Sequence, residues 1–191
     1  ERTGSFSNVA ANSTSLDAGT RVFQANFVSG VWTGELRSQP VTLAGGVAAV
    51  DCSSATPPAV GWCASKGIPT TGRKVYTSDG HFSDDGEGTT QYQAATPGQA
   101  PRAFPTNATS EQLASLTRDG VTGTQNAAYI AGDRSLEQTN PDGFLRNRNH
   151  LLGDIVGSSP AYVPGVNGAA GTVYIGANDG MLHAFDAATG A

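Results

Sequence analysis

Cys52 and Cys63 are the two residues of this chain able to form a covalent bond with each other. They close the Pro- and Ser-rich stretch Asp51-Cys52-Ser53-Ser54-Ala55-Thr56-Pro57-Pro58-Ala59-Val60-Gly61-Trp62-Cys63. A disulfide across such a loop, in an oxidising compartment, would stabilise the fold by about 2–3 kcal/mol, mostly by restricting the unfolded chain. The alternative is a pair of buried free thiols in a reducing compartment. Zinc is disfavoured because no second Cys or His pair stands at ligand spacing.

The densest acidic run is Asp79-Gly80-His81-Phe82-Ser83-Asp84-Asp85-Gly86-Glu87-Gly88. Oxygen-rich turns can hold calcium, but this run departs from the Asp-x-Asp/Asn-x-Asp/Asn-Gly spacing and reads first as a solvated loop. His81, His150 and His183 occur singly, and a lone His in a strand is more often packed than ligating. Ser158-Ser159 lies near Asp154 and His150, yet no Gly-x-Ser-x-Gly elbow accompanies it, so the segment reads as the lead into a strand. Gly176-Ala177-Asn178-Asp179-Gly180 has the glycines of a phosphate loop without the helix that must follow one. Asn12-Ser13-Thr14 and Asn107-Ala108-Thr109 match the glycosylation sequon. No catalytic, cofactor-binding or metal-ligating residue is therefore assigned.

The elements that carry these residues are read from composition and periodicity. The 191 residues include 25 glycines, only 14 % are charged, and the net charge is −5, so many short strands joined by tight turns are expected. The absence of a basic run removes the electrostatic footprint of a nucleic-acid binder. No apolar run reaches membrane-spanning length, and no signal peptide begins the sequence, so an export signal would precede Glu1 or have been removed.

Residues 1–15 read as a linker or disordered lead-in, with regular structure starting near Leu16. Alternation over Val22–Phe27 places Phe23, Ala25 and Phe27 on one face; after the turn Val28-Ser29-Gly30, Val31–Ser38 places Trp32, Gly34 and Leu36 on the apolar side of a hairpin. Thr42–Thr71 reads as mostly loop, Arg73–Thr77 as a strand, and Ser78–Thr106 as a polar surface excursion. One short helix is expected where Thr109-Ser110-Glu111-Gln112 resembles a capping box, with Gly120 available to end it. Asn140-Pro141-Asp142-Gly143 is a turn. Residues 152–191 contain three strands of a propeller-like blade, in which Asp179 and Gly180 supply positive-φ positions for a tight hairpin. A blade needs four strands, so the sequence is expected to be a piece of something larger, with an unpaired edge on the Met181–Asp186 strand.

The run Thr172-Val173-Tyr174-Ile175-Gly176-Ala177-Asn178-Asp179-Gly180-Met181-Leu182-His183-Ala184-Phe185-Asp186-Ala187-Ala188-Thr189-Gly190 is similar to quinoprotein-like propeller blades. Gly132-Asp133-Arg134-Ser135, Phe144-Leu145-Arg146-Asn147-Arg148 and Leu152-Gly153-Asp154-Ile155-Val156-Gly157-Ser158-Ser159-Pro160 precede it. In that order the motifs resemble the PilC/PilY family of type IV pilus tip-associated proteins. Patches at Phe23–Phe27, Trp32–Leu36 and Arg73–Thr77 add to the likeness.

The resemblance implies a mainly β chain: a partial β-propeller with long loops and one short helix, 16–151 forming the β-rich start of the propeller domain and 152–191 its first recognisable, truncated blade. It implies an exported protein of a Gram-negative-type bacterium, in the periplasm, outer membrane, cell surface or pilus tip. It further implies non-enzymatic work in pilus assembly, retraction control, twitching motility and adhesion, with minor pilins, the tip complex and host or abiotic surfaces as partners. Family members carry an acidic calcium loop in the propeller; no matching loop stands in this sequence. A quinone-dependent dehydrogenase and a generic secreted binding propeller are the competing readings. The dehydrogenase would require several repeats with Trp after Thr-Gly, which are not present.

Overall fold

The computed structural model describes residues 7–11, 20–28, 32–42, 46–54, 58, 60–78, 81–84, 90–93 and 97–191. They are mainly β, in antiparallel sheets with a few short helices. The chain divides into two compact units, one made of Glu1–Pro69 with Arg148–Ala191 and one of Thr70–Asn147. The stretch 16–151 is thus shared between two units.

In the first unit, β1 (Ser7–Ala11), β2 (Arg21–Val28), β3 (Thr33–Pro40) and β4 (Trp62–Cys63) form one sheet in sequence order. The alternation in β2 has its expected effect, since Phe23, Ala25 and Phe27 are buried. On β3 the buried positions are Gly34, Leu36 and Ser38. Trp32 is a correction: the ladder closes at Val28 with Thr33, so Trp32 stands in the connection, at φ 51° and 58 % exposed, and off the apolar face. Ser7–Ala11 is another, because regular structure begins well before Leu16. β1 pairs with β2 from Ser7–Asn26 to Ala11–Val22. Such a strand is held by main-chain hydrogen bonds and needs no apolar alternation, which is why its short run of small residues concealed it. The single turn α1 (Ala64–Gly67) follows β4.

The three strands expected in 152–191 are present as β9 (Ala161–Val163), β10 (Thr172–Gly176) and β11 (Leu182–Asp186), in the order β11-β10-β9. Opposed residues share a face, and the pairs Val173–Phe185 and Ile175–His183 lie on the buried one. One core draws on both sheets: Phe23, Ala25, Leu36 and Trp62 from the first, Val173, Ile175 and Phe185 from the second, with Leu152 and Ile155 between elements. Each large side chain so buried contributes about 1.5–3 kcal/mol. Phe23 lies at the centre, with ring centroids of Trp62 and Tyr162 each 5.9 Å away.

The second unit is built from small local pieces. β5 (Tyr76–Thr77) pairs with β8 (Arg102–Ala103), and β6 (His81–Asp84) with β7 (Thr90–Gln93), so the excursion contains a hairpin and the Arg73–Thr77 strand contracts to two residues. The capping box at Thr109 starts α2 (Ser110–Ser115), with the Gln112 amide donating to Thr109 Oγ1 and Gln112 Oε1 accepting from the Thr109 amide. A further helix, α3 (Gly123–Ala131), went unforeseen; it has its own capping box between Thr122 and Gln125 and stops at Gly132, which is left-handed at φ 118°. α2 and α3 meet closely, since a Cβ on Gly123 would overlap the Leu113 carbonyl, and Asn126 Nδ2 donates to Leu116 O at 2.8 Å. The Asn140–Gly143 turn forms as expected, with Gly143 N donating to Asn140 O at 3.0 Å. Of the acidic run, only the backbone of His81–Asp84 is described; 79–80 and 85–88 lie outside the described residues, as does Asn12.

Candidate functional site

The Gly-Asp-Ile-Val-Gly-Ser-Ser-Pro segment and the β10–β11 hairpin are separate in sequence and bonded in space. The hairpin turns through Ala177–Gly180, where Gly180 N donates to Ala177 O and Gly180 alone takes a positive φ, 83°. Asp179 was expected to share that conformation and does not. Its carboxylate has another task. Oδ1 accepts from the Met181 amide at 3.0 Å, and Oδ2 accepts from the Gly153 amide at 3.0 Å and lies 2.8 Å from His183 Nε2.

Neighbouring bonds extend this lock. Asn178 donates from its amide to Asp154 O at 2.9 Å and from Nδ2 to Asp154 Oδ2 at 2.7 Å. Ser158 Oγ accepts from the Gly176 amide at 3.0 Å, so this serine ties the segment to the end of β10. Gly153 must lack a side chain, because a Cβ there would lie 2.5 Å from the Asp179 amide nitrogen. Gly34 meets the same segment from β3, where a Cβ would overlap the Gly153 carbonyl. The glycines, Asp154, Ser158, Asn178 and Asp179 that carry the family likeness are thus one hydrogen-bonded joint.

Burial pushes the Asp179 carboxyl up, but the hydrogen bond and charge of His183, with the amides of Gly153 and Met181, outweigh it and hold the pKa below the ordinary carboxylate value. His183 is 6 % exposed and stacks on Phe185 with ring centroids 6.1 Å apart. It is a packed histidine with a carboxylate partner.

A second joint holds the end of the chain. Trp62 Nε1 donates to Ala187 O at 3.0 Å, and Gly190, at φ 77°, lies against the Trp62 ring where a Cβ would come within 2.6 Å. Asp186 Oδ1 accepts from the amides of Ala188 and Thr189 and from Thr189 Oγ1. The Thr189 amide leads the interactions that keep this carboxyl below its usual pKa. Cys63 of β4 is joined by a disulfide to Cys52, and Glu35 accepts from the amide and hydroxyl of Ser65 in α1.

Glu35 Oε and the two cysteine sulfurs lie within 4.8 Å of one another. The sulfurs are bonded to each other and offer no thiolate, and one carboxylate cannot supply the six to eight oxygens that calcium takes, so the group fits neither zinc nor calcium. Among the described residues His150 is half-buried and Asn107 exposed. Sequence reading missed the Asp179–His183 pair, the Trp62–Ala187 bond and the Glu35–Ser65 contact. Only the first left a local trace, an acid and an imidazole four residues apart across a turn.

The type IV pilus biogenesis factor PilY1 homolog of Xylella fastidiosa is 31 % identical over 210 residues, covering 98 % of this chain and 14 % of that protein. PilY1 of Pseudomonas aeruginosa strain PAK is 42 % identical and that of strain PAO1 41 % identical, each over 87 residues that cover 34 % of this chain and 7 % of the relative. The chain thus spans about a seventh of the longest-matching relative's length. No family model and no solved structure matches it. Similarity along nearly the whole chain, together with the motif order that builds the joint, places the chain in the PilY1 family.

Proposed function

We propose that this chain is a scaffold segment of a type IV pilus biogenesis factor, built as part of a β-propeller and acting without catalysis. The observation that carries the reading is the similarity to a PilY1 homolog over 98 % of the chain. The fold supports the architecture. Consecutive antiparallel strands β1-β2-β3-β4 are arranged as one blade is, and β9–β11 stack on them through a shared core, as neighbouring blades do. Two groups able to carry chemistry are occupied in holding that scaffold: Ser158 Oγ accepts from the Gly176 amide, and His183 pairs with Asp179.

In this reading the protein works at the cell envelope or pilus tip, contacts minor pilins, and supports assembly, retraction control, twitching and attachment to host or abiotic surfaces. Calcium belongs to this reading only as a property of the longer protein, with no residue of this chain assigned to it. The disulfide fits an exported protein. In-frame deletion of this segment from the gene should remove surface pili and abolish twitching, scored by electron microscopy and stab-agar zones. Unchanged piliation and attachment, with loss of a quinone-dependent alcohol oxidation instead, would move the assignment to the dehydrogenase reading.

A further inference from the structure

Glu35 is clasped against a covalent bond in which it takes no part. Glu35 and Arg37 stand two apart on β3 and share the face opposite buried Leu36. Arg37 opposes Cys63 of β4 in the ladder, and the carboxylate of Glu35 lies within 4.8 Å of both cysteine sulfurs. Three hydrogen bonds fix it there. Oε1 accepts from the amides of Leu36 at 3.1 Å and Ser65 at 3.0 Å, and Oε2 accepts from the Ser65 hydroxyl. Every partner donates, which is the set that an ionised carboxylate takes.

The other charges at this corner do not neutralise it. Arg37 acts on Asp51, whose carboxyl is held below its ordinary pKa by the hydroxyl and amide of Ser53 first and by the Arg37 charge after them. Lys66 of α1 is exposed, where water and salt screen it. Among the described residues no cation makes an ion pair with Glu35. Access to the disulfide is one-sided. Cys63 is 2 % exposed, whereas Cys52 lies in the surface loop between exposed Asp51 and Ser53. A small thiol therefore reaches the Cys52 sulfur, and Cys63 is the group that must leave.

We infer that Glu35 guards the Cys52–Cys63 bond electrostatically, slowing its opening by negatively charged thiols. In that reaction a thiolate bonds to Cys52 Sγ while the Sγ–Sγ bond breaks, and the electron pair of the broken bond leaves on Cys63 Sγ, which takes a proton from water. A second thiolate then displaces the first from Cys52 and departs with it as a small disulfide, so two thiols are oxidised and the protein disulfide is reduced. At each bond exchange the negative charge is spread over three sulfurs in line. Two of them, in the first exchange, are those beside Glu35, so its fixed charge opposes both the approach of an anion and the departure of the buried Cys63 thiolate. The bond so protected anchors β4, whose Trp62 holds Ala187. The inference needs only the geometry around this disulfide, and its failure leaves the pilus reading standing.

Reduction kinetics of the oxidised full-length protein test it, with three small thiols of different charge: mercaptoethanesulfonate (negative), mercaptoethanol (neutral) and cysteamine (positive). Rates are taken per thiolate, from alkylation and mass analysis of the peptide that carries Cys52 and Cys63. The wild-type bond should open about tenfold faster with cysteamine than with mercaptoethanesulfonate, and Glu35→Gln should bring the two rates to within about twofold by speeding the negative thiol most. Glu35→Asp, which keeps the charge, should keep part of the preference. A wild-type ratio near one overturns the proposal whether or not any variant folds. Unchanged rates in Glu35→Gln overturn it too, as does equal acceleration with all three thiols, the mark of a carboxylate that only clasps Ser65.

Discussion

The two units of this chain are held together by different physics. In the first, side chains far apart in sequence converge on Phe23, and the core joins β2, β3 and β4 to residues 152–187. In the second, the order comes from short-range devices: two capping boxes, a left-handed Gly132, and strands of two to four residues. Among the described residues of Thr70–Asn147, Ala127 is the one fully buried apolar side chain. The contrast teaches that the first unit should resist local change until its core fails, whereas the second should loosen piece by piece.

That contrast can be broken most forcefully at its centre. Phe23→Ala empties a site with 0 % exposure and should lower the unfolding free energy by about 3–5 kcal/mol in denaturant titrations followed by circular dichroism. A loss below about 1 kcal/mol would mean that the two sheets do not share a core. Next in size, Cys52→Ser with Cys63→Ser should cost about 2–3 kcal/mol. The intact mass of protein from an oxidising compartment should rise by two hydrogen atoms on reduction, as the disulfide takes up two electrons and two protons, and two free thiols before reduction would remove the strut from the account.

Asp179→Asn should cost about 1.5–3 kcal/mol, the range for hydrogen bonds to a charged group. The pH dependence has a fixed sign. A carboxyl with a depressed folded-state pKa contributes stability above its unfolded value, about 3.9, and loses it as pH falls through the folded value. Wild-type stability should therefore fall between pH 4 and the acid limit more steeply than that of Asp179→Asn, and equal slopes would show that the carboxylate is not engaged. The smallest effect belongs to the second unit. Thr122→Ala removes one cap of α3 and should cost about 1 kcal/mol, visible as faster amide exchange in Gly123–Ala131 with the Phe23 core unchanged.

How far the sequence was legible follows the same division. Strong alternation made the β2–β3 hairpin readable, and turn chemistry around Asn178-Asp179-Gly180 made β10 and β11 readable. β1 was hidden because its stability lies in the ladder with β2 and its side chains carry no apolar period. α3 was readable in principle, since Thr122 and Gln125 stand at capping-box spacing, but its face offers only Ala127 and Gly123 as buried positions and so no clear apolar stripe. The joint itself was half legible. Its residues stood out as a family pattern, but the reason for them, a carboxylate 26 residues from the glycine whose amide it accepts, appears only in three dimensions.

The central claim is that the Gly153–Ser158 segment and the β10–β11 hairpin form one cooperative joint. A double-mutant cycle between Ser158→Ala and Asp179→Asn measures it directly, because these substitutions cut the joint at opposite ends. The account predicts a coupling energy above about 0.5 kcal/mol, since releasing either end loosens the segment that the other holds. Losses that add to within about 0.3 kcal/mol would show two independent contacts and contradict it.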